Sequence, residues 1–231
     1  MIHSILGLGD MTLEATEQLA TIETYATQQL AADKSGHGLD HINRVVTNAK
    51  MLLAEEPSAD YVLTLAAAYL HDVIDDKLVD DVPAAEQHVV DLLKSVDMSQ
   101  EKIETVMLII KNMSFSKTLT EDQQKLPLEG QIVQDSDRLD AIGAIGITRA
   151  IYYGGHHSEK IYDPQIAPRK HMTKAEYRNL DNETIINHFY EKLLKLAEQM
   201  NTPVAQRIAK KRQQTMLDFL DAFKGEWNGM R

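Results

Sequence analysis

The residues of this chain that are best suited to chemistry are a histidine and an aspartate beside an apolar segment. His71 and Asp72 end a run, beginning at Tyr61, that contains almost no polar residue. Such a run is typical of a buried helix. Buried ionisable groups are normally paired or bound to a metal, because leaving them without a partner is costly. The sequence therefore predicts that His71 and Asp72 have partners inside the fold.

Two other segments supply candidate partners. His41 lies near the start of a predicted helix whose apolar stripe includes Ile42 and Val45, and residues 134–140 contain three aspartates directly before an apolar pair. Two imidazoles and two carboxylates form a mixed nitrogen and oxygen set, which suits Mn²⁺, Fe²⁺, Ni²⁺, Co²⁺ or Zn²⁺. Taken singly, each residue is more common as a core residue or a helix cap, so the prediction depends on the combination.

The composition excludes several classes of protein. The 231 residues carry a net charge of −11, which argues against nucleic acid as a partner. The absence of cysteine excludes disulfides, thiolate zinc sites and thiol nucleophiles. The N-terminus lacks the basic region of a signal peptide, and the apolar run at 61–70 is far shorter than the roughly 20 residues that span a bilayer. We expect a cytoplasmic protein with no membrane partner.

The elements that must position these residues are all predicted to be helices. Hydrophobic periodicity and breaking residues place helices at about 11–32, 39–55, 61–72, 84–95 and 99–112, one or two between 129 and 153, and two at about 185–200 and 204–227. Residues 113–127 and 154–180 read as loops, and no stretch alternates like a strand. The prediction is an all-α fold, with a lead-in at 1–10 and a single domain at 11–231.

These residues resemble a known family. In chain order His41, His71-Asp72 and Asp137 are similar to the H…HD…D signature of the HD-domain metal-dependent phosphohydrolases. The likeness extends over about residues 13–228, and it resembles a bacterial branch with nucleoside triphosphate pyrophosphohydrolase activity. The segments that carry it are 36–45, 71–77, 135–146, 153–164 and 189–196.

The resemblance implies a metal site between helices. His41, His71, Asp72 and Asp137 would hold one divalent ion, with Mn²⁺ favoured and Ni, Co, Fe, Zn or Mg as alternatives. The resemblance favours Asp137 as the fourth ligand, because the last aspartate of the family's signature stands two residues before a leucine, as Asp137 does here. Asp135 would then be a helix cap or a group that supports the ligands. Only His88 is available between the HD pair and Asp137 as an extra histidine ligand, so we expect a single metal ion.

The same resemblance suggests which residues act on substrate. Asp75 matches an acidic position that handles protons in related enzymes, and Asp76 is its close competitor; the alternative is a solvated acidic loop. Arg44 lies one helical turn after His41 and could grip phosphate oxygens, or it could pair with nearby acids. His37 and Lys77 are further candidate phosphate contacts.

The long segment at 154–180 could close over a substrate. It contains the candidate contacts His156, Lys160 and Arg169, and Gly154-Gly155 could serve as its hinge. The alternative is a surface loop that happens to be basic.

The predicted function is metal-dependent hydrolysis of a small nucleotide, with a nucleoside triphosphate giving the monophosphate and pyrophosphate. Three alternatives stay open: a nucleoside 5'-monophosphate phosphatase, a cyclic-nucleotide or alarmone phosphodiesterase, and a regulatory nucleotide-binding module without turnover. The protein is expected to be a monomer or a homodimer.

Overall fold

The structure is a computed structural model that describes residues 12–31, 38–76, 78–115, 124–169 and 183–230. Over these residues the regular structure is helical, as predicted. None of the helices in this part of the chain is long and apolar enough to cross a membrane. The α-helices are α1 (Leu13–Leu30), α2 (Leu39–Leu53), α3 (Tyr61–Leu70), α4 (Val82–Ser95), α5 (Gln100–Asn112), α6 (Leu128–Asp140), α7 (Gly143–His156), α8 (Ile185–Glu191) and α9 (Pro203–Trp227), and a 3₁₀ helix covers Leu193–Gln199.

The apolar helix α3 lies at the centre of a first compact unit, which comprises Met1–Ser114 and Gln124–Gln134. It packs against α1, α2 and α5. All eight residues from 63 to 70 are buried, because a helix that is apolar on every side needs neighbours on every side. The Asp60 carboxylate caps its first turn by accepting from the Leu63 N–H at 3.0 Å. The prediction of a buried helix here is confirmed.

The second compact unit comprises Phe115–Gln123 and Asp135–Arg231. Its long final helix α9 packs on α7 and on the 3₁₀ helix. Helices α6 and α7 are separate because Gly143 has a φ of 75°, a left-handed conformation that glycine adopts without strain. A Cβ at Gly143 would also lie 2.9 Å from Cβ of Arg212. The prediction of one domain over 11–231 stays a prediction.

Several predicted boundaries need correction. Helix α7 continues through His156, so Gly154-Gly155 lies within a helix and does not form a hinge. Gly154 is there for close packing, since a Cβ would lie 2.4 Å from Cγ1 of Ile185. The predicted helix at 185–200 is interrupted at Lys192, and its second half is the 3₁₀ helix. The lead-in and parts of both predicted loops lie outside the described residues.

Candidate metal centre

The His71-Asp72 pair follows directly on the central helix of the first unit. His71 is the residue at which α3 terminates, and its Nδ1 lies 2.8 Å from the carbonyl oxygen of Ala68. Because a carbonyl oxygen can only accept a hydrogen bond, Nδ1 of the neutral ring carries the proton and donates it. Nε2 then presents a lone pair, which is the state of an imidazole that binds a metal.

Three donor groups of the first unit converge on one point. Nε2 of His41, which is buried near the start of α2, lies 3.3 Å from Nε2 of His71. The two oxygens of Asp72 lie beside both rings, with Oδ2 at 3.5 Å from Nε2 of His41 and Oδ1 at 3.3 Å from Nε2 of His71. His41 is therefore a neighbour of the His71-Asp72 pair, as the sequence predicts.

Asp137 on α6 is grouped with the two histidines. One ligand atom from each of His41, His71 and Asp137 lies within 4.8 Å of the other two, with the imidazoles buried and Asp137 partly buried. Such a group could hold a metal ion. Its members together with Asp72 are called the histidine–aspartate cluster below.

The cluster has separations that one divalent cation requires. Around an octahedral divalent ion whose ligands lie at about 2.1 Å, adjacent ligands are about 3 Å apart and opposite ligands about 4.2 Å apart. The distances of 3.3 and 3.5 Å among His41, His71 and Asp72 are within a few tenths of an ångström of the first value. Equal numbers of imidazole and carboxylate donors suit a first-row transition metal better than Ca²⁺. The residues present thus fit a single divalent ion.

Asp135 lies two residues before Asp137, inside α6, so it does not cap its own helix. Its Oδ1 accepts from the backbone N–H and the side-chain amide of Asn201, at 2.8 and 2.9 Å. Its Oδ2 accepts from the N–H and the hydroxyl of Thr202, at 2.7 and 2.9 Å. Burial raises the pKa of Asp135, and the four hydrogen bonds oppose that shift. The carboxylate connects the turn before α9 to α6.

Arg138 is a buried residue to which the sequence analysis assigned no role. Its guanidinium donates to the carbonyl oxygen of Gln199. Burial lowers the pKa of Arg138, while the negative charges of Asp135 and Asp137 oppose this shift. An available signal was its spacing, since residues three apart share a helix face and Arg138 stands three after Asp135.

The two predicted proton handlers lie just beyond the His71-Asp72 pair. Asp75 is partly buried, and its N–H donates to the carbonyl oxygen of Asp72 at 3.1 Å. Asp76 is exposed. This hydrogen bond closes a turn that joins Asp75 to Asp72, a member of the cluster. Its catalytic role stays a prediction.

Arg44 has the acidic neighbour that the sequence left open as an alternative. Its Nη1 donates to Oδ2 of Asp40 at 2.7 Å, across one turn of α2. Partial burial raises the pKa of Asp40, but the hydrogen bond and charge of Arg44 outweigh it and the pKa is lowered. An exposed pair of this type contributes only about 0.3–0.5 kcal/mol, so a phosphate group could replace Asp40. His37 and Lys77 lie outside the described residues.

The three candidate contacts from the long segment are in the second unit. His156 is exposed at the end of α7, and exposed Lys160 places Nζ 3.1 Å from Oδ2 of Asp163. Arg169 donates to Glu191 from its backbone N–H at 2.8 Å and from Nε at 2.9 Å, and its Nη2 lies 3.1 Å from Oε2 of Glu183. Hydrogen bonding to Glu191 raises the pKa of Arg169. With two carboxylates in contact, this guanidinium is poorly placed to bind phosphate.

The described part of the long segment is held against the start of α8. The Ile185 N–H donates to the carbonyl oxygen of Lys160 at 3.0 Å, and the side-chain amide of Asn187 donates to that of Ile166 at 2.9 Å. The ion pairs of Arg169 fasten its far end. These contacts indicate that residues 157–169 form a fixed segment and not a lid that closes over substrate.

Comparisons with known proteins find a matching family and similar chains. The family model described as the HD domain matches residues 38–142. The Bacillus subtilis protein YpgQ is 34% identical over 208 residues, which cover 90% of this chain and 93% of YpgQ. Its crystal structure in complex with ADP has a TM-score of 0.73 at 31% identity, covering 93% of this chain and 97% of that one.

Two further crystal structures are similar over nearly the whole chain. A Lactobacillus plantarum protein has a TM-score of 0.82 at 52% identity, covering 92% of this chain and 98% of its own. An HD-superfamily hydrolase from Bacillus thuringiensis has a TM-score of 0.72 at 37% identity, covering 93% and 98%.

Proposed function

This chain belongs to the HD domain family, and from that premise we propose that it is a metal-dependent phosphohydrolase acting on a small nucleotide. The favoured reaction converts a nucleoside or deoxynucleoside triphosphate to the monophosphate and pyrophosphate. The observation that carries the proposal is the convergence of His41, His71 and Asp72 at 3.3–3.5 Å, with Asp137 grouped on the same histidines.

Support for a nucleotide comes from a relative. YpgQ has been crystallised in complex with ADP, and this chain is similar to YpgQ over nine-tenths of its length. A diphosphate nucleotide offers a run of phosphate oxygens, which a cationic centre recognises. The same complex is compatible with a binding module, so the proposal of turnover rests on the residues of the cluster.

His41, His71, Asp72 and Asp137 would hold the divalent ion, with Mn²⁺ favoured. When bound, this ion supplies Lewis acidity, which polarises a phosphoryl oxygen and acidifies a water molecule. The hydrogen bond from Nδ1 of His71 to Ala68 fixes the tautomer that such a ligand needs. Ala68 contributes only its backbone, so the orientation of His71 depends on α3 itself.

The proposed reaction is attack of water on the α-phosphorus. The new bond joins the water oxygen to phosphorus, and the bond from phosphorus to the α,β-bridging oxygen breaks with its electron pair leaving on pyrophosphate. Asp75 accepts the proton of the attacking water, with Asp76 as the alternative acceptor. Asp75 is preferred because it is partly buried whereas Asp76 is exposed.

Arg44 is the proposed phosphate contact among the described residues of the first unit. Its side chain is 31% exposed, and it lies one helical turn after His41 on the same face of α2. Substrate phosphate would exchange with Asp40, whose carboxylate is well exposed and regains hydration when released. His37 and Lys77 remain predicted contacts from the sequence, as do His156 and Lys160. Arg169 is not proposed as a phosphate contact, because its guanidinium forms ion pairs with Glu183 and Glu191.

The test is a nucleotide panel. Protein purified without a histidine tag is stripped of metal, supplied with Mn²⁺, and incubated with mono-, di- and triphosphates and a cyclic nucleotide, and the products are separated by chromatography. The stripped protein and Asp72→Asn serve as controls for a contaminating phosphatase, because either should lose the activity.

Each product pattern decides between the candidate functions. Monophosphate and pyrophosphate from a triphosphate support the proposed reaction. Inorganic phosphate as the sole phosphorus-containing by-product indicates a phosphatase, and opening of the cyclic nucleotide indicates a phosphodiesterase. Tight nucleotide binding with no product from any substrate would indicate the regulatory module and reject the proposal of an enzyme.

A further inference from the structure

The second unit contains a buried polar network next to Asp137 that no step of the proposed reaction uses. Asp135 is completely buried, and its two oxygens accept four hydrogen bonds from Asn201 and Thr202 at 2.7–2.9 Å. The Thr202 hydroxyl also accepts from the Ala205 N–H at 3.3 Å and so caps α9. Asp135 therefore attaches α6 to the beginning of α9.

Arg138 fastens the same face of α6 one turn later. Its side chain is buried, and it donates to the carbonyl oxygen of Gln199 at the end of the 3₁₀ helix. Asp135 and Arg138 thus bind three residues of the segment 199–202, namely Gln199, Asn201 and Thr202. Two attachment points about one turn apart restrict the rotation of a helix about its axis more than one point does.

Rotation of α6 matters because it displaces Asp137. At 3.6 residues per turn, Asp135 and Asp137 point in directions about 200° apart, so the network holds the face of the helix nearly opposite to the ligand. Side-chain ends lie about 5–6 Å from the helix axis, so a rotation of about 10° moves a carboxylate by about 1 Å. The side chains of a functional site must lie within about 0.5 Å of their productive positions, so such a rotation would disturb the site.

We propose that Asp135 and Arg138 are positioning residues that set the rotation of α6 and thereby place the Asp137 carboxylate for metal binding. This inference rests on the proposed function, because it assumes that Asp137 is a ligand. Outer groups that orient metal ligands typically contribute 10–100-fold to metal affinity, and the network is expected to fall in that range.

The test compares two buried carboxylates of the second unit. Asp135→Asn keeps the shape of the side chain and removes the charge and one acceptor. Glu191→Gln is the matched control, since Glu191 is equally buried and also accepts from a backbone N–H and a side chain, those of Arg169. The two variants should lose thermal stability to a similar degree. Only Asp135→Asn should weaken Mn²⁺ binding by tenfold or more in calorimetric titration and alter the visible absorption of the Co²⁺-loaded protein.

A second pair guards against a variant that fails to fold. Thr202→Val removes the hydroxyl that donates to Asp135 and caps α9, and it leaves the backbone N–H, while Thr202→Ser keeps the hydroxyl. Thr202→Val should weaken Mn²⁺ binding, and Thr202→Ser should recover the wild-type affinity.

The outcomes separate this inference from the proposed function. If the wild-type protein binds Mn²⁺ and Asp135→Asn or Thr202→Val binds it with equal affinity and the same Co²⁺ spectrum, the positioning role is wrong and the proposed function stands. An equal loss of affinity in Glu191→Gln would also overturn it, because the effect would then be general destabilisation. A wild-type protein that binds no divalent metal overturns the proposed function itself.

Discussion

Asp72→Asn should abolish most of the stabilisation that Mn²⁺ confers on this protein. The Asp72 carboxylate lies beside both imidazoles, with one oxygen 3.5 Å from Nε2 of His41 and the other 3.3 Å from Nε2 of His71. An asparagine would fill the same volume. It would lack the negative charge, and its amide nitrogen could not coordinate a cation.

The expected magnitude follows from linkage. A ligand at 100 times its Kd stabilises the folded state by about 2.7 kcal/mol, and about 1 kcal/mol shifts Tm by roughly 2–4 °C for a chain of this size. The wild-type Tm should therefore rise by roughly 5–11 °C at that Mn²⁺ concentration. Groups that only orient metal ligands contribute about 10–100-fold to metal affinity. Loss of a charged ligand should cost at least the upper end of that range, so Kd should rise by about 100-fold or more. The stabilisation then falls to about 0.4 kcal/mol, or roughly 1–2 °C.

The assay is thermal unfolding of each protein with EDTA and with a fixed Mn²⁺ concentration. Comparing each variant with its own EDTA sample cancels any change in the stability of the metal-free protein. Asp97→Asn is the matched control, because it makes the same chemical change at an exposed residue, and asparagine tolerates the φ of 54° found there. The control should keep the full Mn²⁺ shift.

A full Mn²⁺ shift in Asp72→Asn would refute the reasoning, because it would mean that the ion binds elsewhere or that Asp72 is not a ligand. A shift lost equally in Asp97→Asn would show that the effect is general electrostatic attraction to an acidic protein.

Three further predictions address catalysis, packing and pH. Asp75→Asn should lower kcat by about 10²–10⁴-fold, as loss of a proton acceptor does, while the Mn²⁺-induced shift in Tm is retained. Gly154→Ala should destabilise the protein by about 1–2 kcal/mol in urea unfolding, because its Cβ would lie 2.4 Å from Cγ1 of Ile185. Glu159→Gln should raise Tm near neutral pH by roughly 2–4 °C, equivalent to about 1 kcal/mol, because Oε1 of Glu159 is buried with no hydrogen-bond partner among the described residues. Burial and the charge of Glu183 raise the pKa of Glu159, so the wild type loses stability as pH rises through that pKa. The advantage of glutamine should then vanish below about pH 4, where the carboxyl is protonated in both folded and unfolded states.

Each of these has a contrary outcome, and the packing and pH predictions also have control variants. An unchanged kcat in Asp75→Asn would remove Asp75 from the mechanism and leave Asp76. Gly155→Ala is one residue along the same helix, and outside that helix turn no atom of the described residues would lie within 4 Å of its Cβ. It should be neutral or stabilising; destabilisation of both variants would point to backbone conformation and not to packing. Glu198→Gln, at an exposed glutamate, should leave Tm unchanged, and a gain in Glu159→Gln that persists at pH 4 would contradict the proposed titration.

The sequence by itself determined the helical elements and the chemistry of the cluster. The run from Tyr61 predicted α3 because apolar residues on every side of a helix require burial, and burial predicted that His71 and Asp72 have partners. The choice of His41 and Asp137 as those partners came from their order in the chain and from the family resemblance. The spacing of residues carried no distance information between them.

Only the tertiary structure gave the distances between residues that are far apart in the chain. His41 and His71 are 30 positions apart and their Nε2 atoms lie 3.3 Å apart, and Asp135 meets Thr202 across 67 positions. Arg169 was expected on substrate and lies against Glu191 and Glu183. Local periodicity specifies which face of a helix is apolar, but the partner of a buried charge depends on how the helices pack. The metal centre can therefore be predicted from residue types, whereas the network that positions it is found only from the packing of the helices.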